Sequence, residues 1–480
     1  MISNTKIYAR TLTLAMIFAM LAVNAPAESQ SLETLLAYLK SPNVDTRRDA
    51  ARKLGERRAR NQLAVEALAV AASKDEDSKV RTEAVWALGL IKDFSALPEM
   101  LGALKDSHPD VRSMAVKSLV ALYTEHDIDF ITNQRTGWNR FNPFLDTSDH
   151  EIIEPYIMAD PSIIKALGES ARGDGDRNVR IAAIRALGVL RGYNALPQLA
   201  DALNADQDVR IDVIRTFIKT GDPAAGQYLT AFFRDSNDNV RTQAMYAAGA
   251  LKYRPAVEPL LSVYGIGPQE RSTFSRITRK VRGVFSYMPP RDEAALWALS
   301  LIGDERAEQV FVENMSDKDA HRRQYAFEGL ARIADPRYMD QISRLILTER
   351  DSNVKLAETW ALYKMGSRPN IRYVVHKLDG DTAEVAREYL LETSDPSDLY
   401  PYVRSSNKTV RRKVIEILGQ IGNQETAREL ESLARTSGAD TSDTATVAIK
   451  RIEWRLSGRP RASDDVLQHE TRPRRTDNQK

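Results

Sequence analysis

A Val-Arg pair returns along this chain at nearly constant distance, and no other feature limits its fold as tightly. The pair stands at Val80-Arg81, Val111-Arg112, Val179-Arg180, Val209-Arg210, Val240-Arg241 and Val410-Arg411. Gaps among the first five are 31, 68, 30 and 31 residues. Four positions after the Val stands Ala84, Ala115, Ala183 or Ala244, and eight after stands Leu88, Leu119, Leu187, Ala248 or Leu418. Offsets of 0, 4 and 8 share one face of an α-helix, so they predict a buried stripe. Gly89, Gly188, Gly249 and Gly419 follow at offset nine and predict left-handed caps that end those helices.

Helix starts recur as well. Three residues before the Val, or its equivalent, stands Asp77, Asp176, Asp206, Asn237, Asp351 or Asn407, residue types whose side chains cap exposed backbone N–H groups. Asp75, Asp106, Asp174 and Asp235 stand two residues earlier still. Upstream lies a second helical pattern, as in 96–104, with Pro98 in its first turn, where a missing N–H costs little. Each unit is therefore two antiparallel helices, and neither can bury its apolar face alone; stacking the units solves this and predicts an all-α solenoid. Weaker units begin at Thr46-Arg47 and, from the match of Trp297-Ala298-Leu299 to Trp86-Ala87-Leu88, at Arg291, Arg322, Val354 and Val385. A last helix runs to about Leu456. Setting two insertions and the tail aside leaves about twelve hairpins.

This pattern resembles the HEAT repeat family in its short bacterial, PBS-lyase-like form. The resemblance covers most of 31–456. It implies that the Val-Arg helices line an inner, concave side and that Asp and Arg form a ladder along the stack. Asp75/Arg81, Asp106/Arg112, Asp174/Arg180 and Asp235/Arg241 would then hold the fold. Arg291-Asp292 and Arg322-Arg323 depart from that pattern and predict an irregular ladder between about 260 and 350.

Two breaks carry the candidate binding residues. The 68-residue gap leaves room for an acidic, aromatic insertion at 124–160, although two repeats plus a short linker would fill it too. There Trp138, Phe141 and Phe144, with Arg140, interrupt any helical period; a segment this long and aromatic is a recognition loop or is pinned to the solenoid. The second break, at 266–290, places Arg276, Arg279, Lys280 and Arg282 around Phe274, Ile277, Val281 and Val284. A basic amphipathic helix of this kind contacts an acidic partner or an anionic surface, or packs with its charges solvated.

Catalytic chemistry finds no support in the residue pattern. The chain has no cysteine, which excludes disulfides, thiolate nucleophiles and thiolate metal sites. Deoxyhypusine hydroxylase, an enzyme of the same fold class, holds iron with His-Glu pairs on its repeats. Here only His150-Glu151 and His469-Glu470 pair, in the first insertion and the tail, while His108, His126, His321 and His376 share no repeat position. No Gly-rich phosphate loop or hydrolase motif occurs. No catalytic residue, cofactor or metal ligand is therefore assigned.

Residues 1–27 read as an export signal: Lys6 and Arg10, the apolar run 11–23, then Ala25-Pro26-Ala27 before Glu28. That run is shorter than the ~20 residues of a membrane span, so the expectation is a periplasmic or secreted protein, the alternative being an uncleaved inner-membrane anchor. The whole chain has 68 basic and 66 acidic residues, and the leader holds two of the basic ones. The remainder is neutral, which makes nucleic acid a poor partner. The expected organisation is a leader (1–27), repeats (28–123), the acidic insertion (124–160), repeats (161–265), the basic insertion (266–290), repeats (291–456) and a polar tail (457–480). The expected function is a non-enzymatic scaffold or adaptor that binds a protein or peptide through its concave face and insertions. Its alternatives are an enzyme or enzyme regulator acting through 124–160, and a membrane-surface or anionic-polymer binder acting through 271–291.

Overall fold

A computed structural model describes residues 31–124, 152–155, 157–265 and 290–457. Every regular element among them is helical, and they form twelve hairpins. The first three pair α1 (Leu32–Tyr38) with α2 (Val44–Glu56), α3 (Gln62–Lys74) with α4 (Ser78–Ile91), and α5 (Leu97–Ala103) with α6 (Pro109–Ala121). Hairpins 4 and 5 pair α7 (Pro161–Gly173) with α8 (Arg177–Val189) and α9 (Leu196–Ala205) with α10 (Arg210–Thr220). In hairpin 6 two 3-10 turns, Pro223–Tyr228 and Thr230–Arg234, replace the first helix and precede α11 (Asp238–Ala250). Hairpins 7 and 8 pair α12 (Val257–Gly265) with α13 (Arg291–Ile302) and α14 (Glu308–Asn314) with α15 (Ala320–Ile333). Hairpins 9 and 10 pair α16 (Met339–Leu345) with α17 (Ser352–Lys364) and α18 (Ile371–His376) with α19 (Ala383–Leu391). Hairpin 11 joins a 3-10 segment, Pro396–Tyr402, to α20 (Lys408–Ile421), and hairpin 12 pairs α21 (Gln424–Thr436) with α22 (Ala439–Ser457). The first insertion separates hairpins 3 and 4; the second parts the two helices of hairpin 7.

The chain divides into two compact units between Ser118 and Leu119, inside α6. In the first unit, α4 packs on both α2 and α3. In the second, α8 packs on α10, and the series α11, α13, α15, α17 runs as consecutive neighbours. The repeated stripe is the seam: Val80 and Ala84 are wholly buried and Leu88 is 1% exposed, with Val179, Ala183 and Leu187 matching them in α8. Each fully buried aliphatic side chain contributes about 1.5–3 kcal/mol, so the seam rather than helix propensity holds the array. Hairpin 10 departs from the expected register. Val385 is half-exposed and the stripe begins one residue later, at Ala386 and Leu390.

The motif glycines do not end their helices. Gly89, Gly249 and Gly419 lie within α4, α11 and α20, and the left-handed residues come later, among them Lys92 and Lys252. These glycines allow contact with the next hairpin: a Cβ on Gly89 would meet Ser118 Cα at 2.8 Å, and one on Gly249 would meet Ala298 Cα at 2.9 Å. Most of the capping expectation is met. Asp77, Asp176, Asn237, Asp351 and Asn407 each accept backbone N–H groups at the start of a second helix. Asp206 does not. Helix α10 starts later, with Val209 as an N-cap that offers no side-chain bond; Asp206 instead fills the ladder position, its Oδ2 accepting from Arg180 of the preceding hairpin and its Oδ1 from the Asp208 N–H at 2.9 Å.

Candidate partner-binding surface

The sequence-derived candidates Trp138, Arg140, Phe141, Phe144, Arg276, Arg279, Lys280 and Arg282 lie outside the described residues. The structure describes the points where the first of these segments rejoins the array. The Ile153 N–H donates to the Val189 carbonyl at 3.0 Å, and Arg191 Nε donates to the Ile153 carbonyl at the same distance. The Asp160 N–H donates to Tyr123 Oη at 2.9 Å. Arg451 Nε, on the last helix, donates to Glu154 Oε2 at 2.7 Å.

The Val-Arg arginines are occupied by the fold. Arg81 donates through one terminal nitrogen to the Asp75 carbonyl oxygen at 2.9 Å, within its own hairpin. Its Nε and other terminal nitrogen reach the Asp106 carboxylate of the next hairpin at 2.7 and 2.9 Å. Arg47 does the same to Asp75 and Arg180 to Asp206, while Arg210 reaches Asp235 Oδ2 through a terminal nitrogen at 2.7 Å and gives its Nε to the Leu203 carbonyl at 3.2 Å. The ladder's carboxylate rungs thus run between hairpins, one unit on from the pairing of Asp75 with Arg81. Each acceptor also fixes its own turn, as when Asp106 Oδ1 takes the His108 N–H at 2.8 Å. Burial pushes the Asp106 carboxyl up, but the bonds from Arg81 and His108 outweigh it and hold it below the usual range.

The irregular stretch keeps the ladder by exchanging its partners. Asp292 stands where the Arg is expected and Arg322 where the Val is expected, and they meet at 2.7 Å. Arg322 is 9% exposed and also donates to Asn314 Oδ1 at 3.1 Å and to Tyr264 Oη at 3.2 Å. Arg323 resumes the series with Glu349, at 2.9 and 3.0 Å. Sequence reasoning saw the departure but not its compensation, because Asp292 and Arg322 belong to different hairpins.

Second helices also carry a half-exposed stripe, including Trp86 on α4, Ile181 on α8, Ile211 on α10, Tyr246 on α11 and Trp297 on α13. Arg185 and Asp212 pair across α8 and α10 at 2.8 Å. Further along, Tyr246 and Trp297 lie 4.4 Å apart, and Trp297 and Tyr325 stack at 5.6 Å. Rings from three successive second helices therefore form a continuous row. Part of the signal was in the sequence: Tyr246 and Trp297 both stand at offset six, whereas Tyr325 stands at offset three. At the end of this row, where the His321 ring stacks on Tyr325 at 6.4 Å, Glu293, Asp319 and His321 bring one ligand atom each within 4.8 Å of the others. Asp319 Oδ1 there accepts the His321 N–H at 3.0 Å as the N-cap of α15.

One buried acid breaks the repeat. Glu358 of α17 stands at offset four, where Ala84, Ala115, Ala183 and Ala244 stand elsewhere. It is 1% exposed, and its Oε2 has no hydrogen-bond partner. Burial, reinforced by nearby Glu349, pushes its carboxyl up to about 8 against the opposing pull of Arg323 and Lys355. It is therefore mostly protonated at neutral pH.

A family model described as HEAT repeats matches residues 32–120, 65–136 and 164–250. These stretches are HEAT repeats. The matched stretches carry the Val-Arg pairs from Val80 to Val240 and the ladder that joins them. Among solved structures, the Kap95:Nup1 complex is 14% identical, covering 93% of this chain and 65% of that one at a TM-score of 0.47. The complex of CpcE and CpcF of phycocyanin lyase from Nostoc sp. PCC7120 is 20% identical, covering 64% and 97% at 0.28. Human deoxyhypusine hydroxylase is 16% identical, covering 63% and 96% at 0.25. No curated protein matches the chain. No helix among the described residues is long and apolar enough to cross a membrane.

Proposed function

We propose that this protein is an exported scaffold or adaptor that binds a protein or peptide along the face lined by its second helices. The supporting observation is the aromatic row Tyr246–Trp297–Tyr325, in which Tyr246 and Trp297 are half-exposed while the Val-Arg motif beside them is consumed by the fold. Aromatic side chains with one face packed and one accessible are the usual anchors of protein interfaces. Extended stacks present many such positions at fixed spacing. Residues 124–160 and 266–290 add specificity, and the leader at 1–27 directs the chain to the periplasm, where its mature form begins at Glu28.

A photocrosslinking residue placed at Tyr246 or Trp297 in living cells tests the binding face. The expected result is a discrete adduct that is missing when the crosslinker stands at exposed Leu347. It should weaken when 124–160 or 266–290 is deleted. Adducts of equal yield from all three positions, or none from any, would overturn the reading. Export is checked separately by cell fractionation and by the N-terminal residue of the recovered protein.

A further inference from the structure

Five consecutive hairpins in the second unit are drawn together at one end by charge. Lys252 follows α11 in hairpin 6, and Glu392 follows α19 in hairpin 10. In a straight stack four interhelical steps separate these ends, which at about 8–10 Å per step makes about 32–40 Å. Lys252 Nζ instead donates to Glu392 Oε1 at 2.9 Å. In hairpin arrays each repeat normally touches only its neighbours, so this contact records strong curvature of the segment.

Intermediate hairpins converge on the same carboxylate. Arg332, near the end of α15, donates through Nε to Glu392 Oε1 and Oε2 at 3.0 and 3.1 Å, and through a terminal nitrogen to the Ser300 carbonyl of α13 at 2.8 Å. Lys364, the last residue of α17, donates to the Glu392 carbonyl oxygen at 2.9 Å. Arg332 is held in place from beneath: its guanidinium lies over Trp360 at 5.0 Å, and Trp360 stacks on Tyr389 at 4.3 Å. Gly303 makes room for it, since a Cβ there would meet Arg332 Cβ at 2.2 Å. A second long-range pair in the same unit, Glu154 with Arg451, joins its first described residues to its last helix.

We propose that Glu392, gripped by Arg332 and Lys252, is an electrostatic clasp that sets the curvature of residues 252–392, and that ionic strength opens it. The outer half of the clasp is accessible to salt, with the Lys252 side chain 45% and the Glu392 side chain 28% exposed, whereas Arg332 at 7% is anchored. Screening therefore acts first on Lys252, and loss of that bond frees hairpin 6 from hairpin 10 without unstacking neighbours.

Because the chain has no native cysteine, spin labels can be placed on cysteines introduced at exposed Gln227 and Asp381 and their separation measured by pulsed EPR. The measurement compares about 0.01 M with about 1 M salt, which shortens the screening length from about 30 to about 3 Å. At low salt the labels should give one narrow distance. Salt should lengthen and broaden it, and Lys252→Met and Glu392→Gln should reproduce the lengthening at low salt and abolish the salt response. Lys252→Met added to Glu392→Gln should change nothing further. A distance that is the same at both salts in the unsubstituted background overturns the proposal, and that arm needs no change in the clasp itself. Helix content by circular dichroism shows whether each variant is folded.

Discussion

Replacing Glu358 by Gln should stabilise the protein, and more so as pH rises. The amide keeps the shape of the carboxyl and removes its charge. In the fold the carboxyl is raised from 4.5 to about 8, and each pH unit between these values is worth about 1.4 kcal/mol. Below 4.5 the acid is protonated in folded and unfolded chains alike, so it imposes no ionic penalty. Between 4.5 and about 8 the unfolded chain releases the proton while the folded one holds it, so native stability falls with rising pH. The deficit relative to Gln reaches about 3 kcal/mol at pH 7 and levels off near about 5 kcal/mol above pH 8. Repeat arrays open locally, so the suitable assay is amide hydrogen exchange of α15 and α17 across pH 5–9, corrected for intrinsic rates and paired with thermal midpoints. Glu358→Ala, which restores the motif residue, should follow the same pH dependence with a constant offset for lost packing. A difference between wild type and Gln that does not change with pH, or that shrinks as pH rises, would refute the reasoning.

Gly89→Ala should destabilise by about 1–3 kcal/mol, because its Cβ meets Ser118 Cα at 2.8 Å. Gly102→Ala, with nothing within 4 Å, should instead stabilise by about 0.5–1 kcal/mol; thermal melts of the pair check both signs. Asp106→Asn should cost about 1.5–3 kcal/mol at neutral pH. Because the Asp106 carboxyl is held low in the fold, its contribution is present above the ordinary aspartate value and disappears as pH falls through the folded one, so wild type and Asn should converge in acid. Arg322→Val alone leaves Asp292 without its cation. Adding Asp292→Arg, which restores this chain's repeat pattern, should recover about 0.5–3 kcal/mol in a double-mutant cycle, and additive losses would count against the exchanged rung.

The periodic residues were legible in the sequence because they act locally. Val80, Ala84 and Leu88 share a helix face whatever surrounds them, and Asp77 caps the helix it begins. From these alone the repeat length, the pairing of helices and the all-α class followed. What the same letters do across hairpins was another matter. Gly89 looked like a helix stop but is a contact point for Ser118. Arg81 sat near Asp75 in sequence, yet its carboxylate partner is Asp106. Asp292 and Arg322 looked like two separate defects and are one compensated pair.

The sequence by itself determined the hairpin, since a helix face and its caps depend on residues within a few turns of one another. Only the tertiary structure decided which arginine meets which carboxylate, how closely neighbouring helices approach, and that Lys252 and Glu392, 140 residues apart, share one ion pair. Those outcomes depend on the angle between successive hairpins, which accumulates over many repeats and is written in no single one of them.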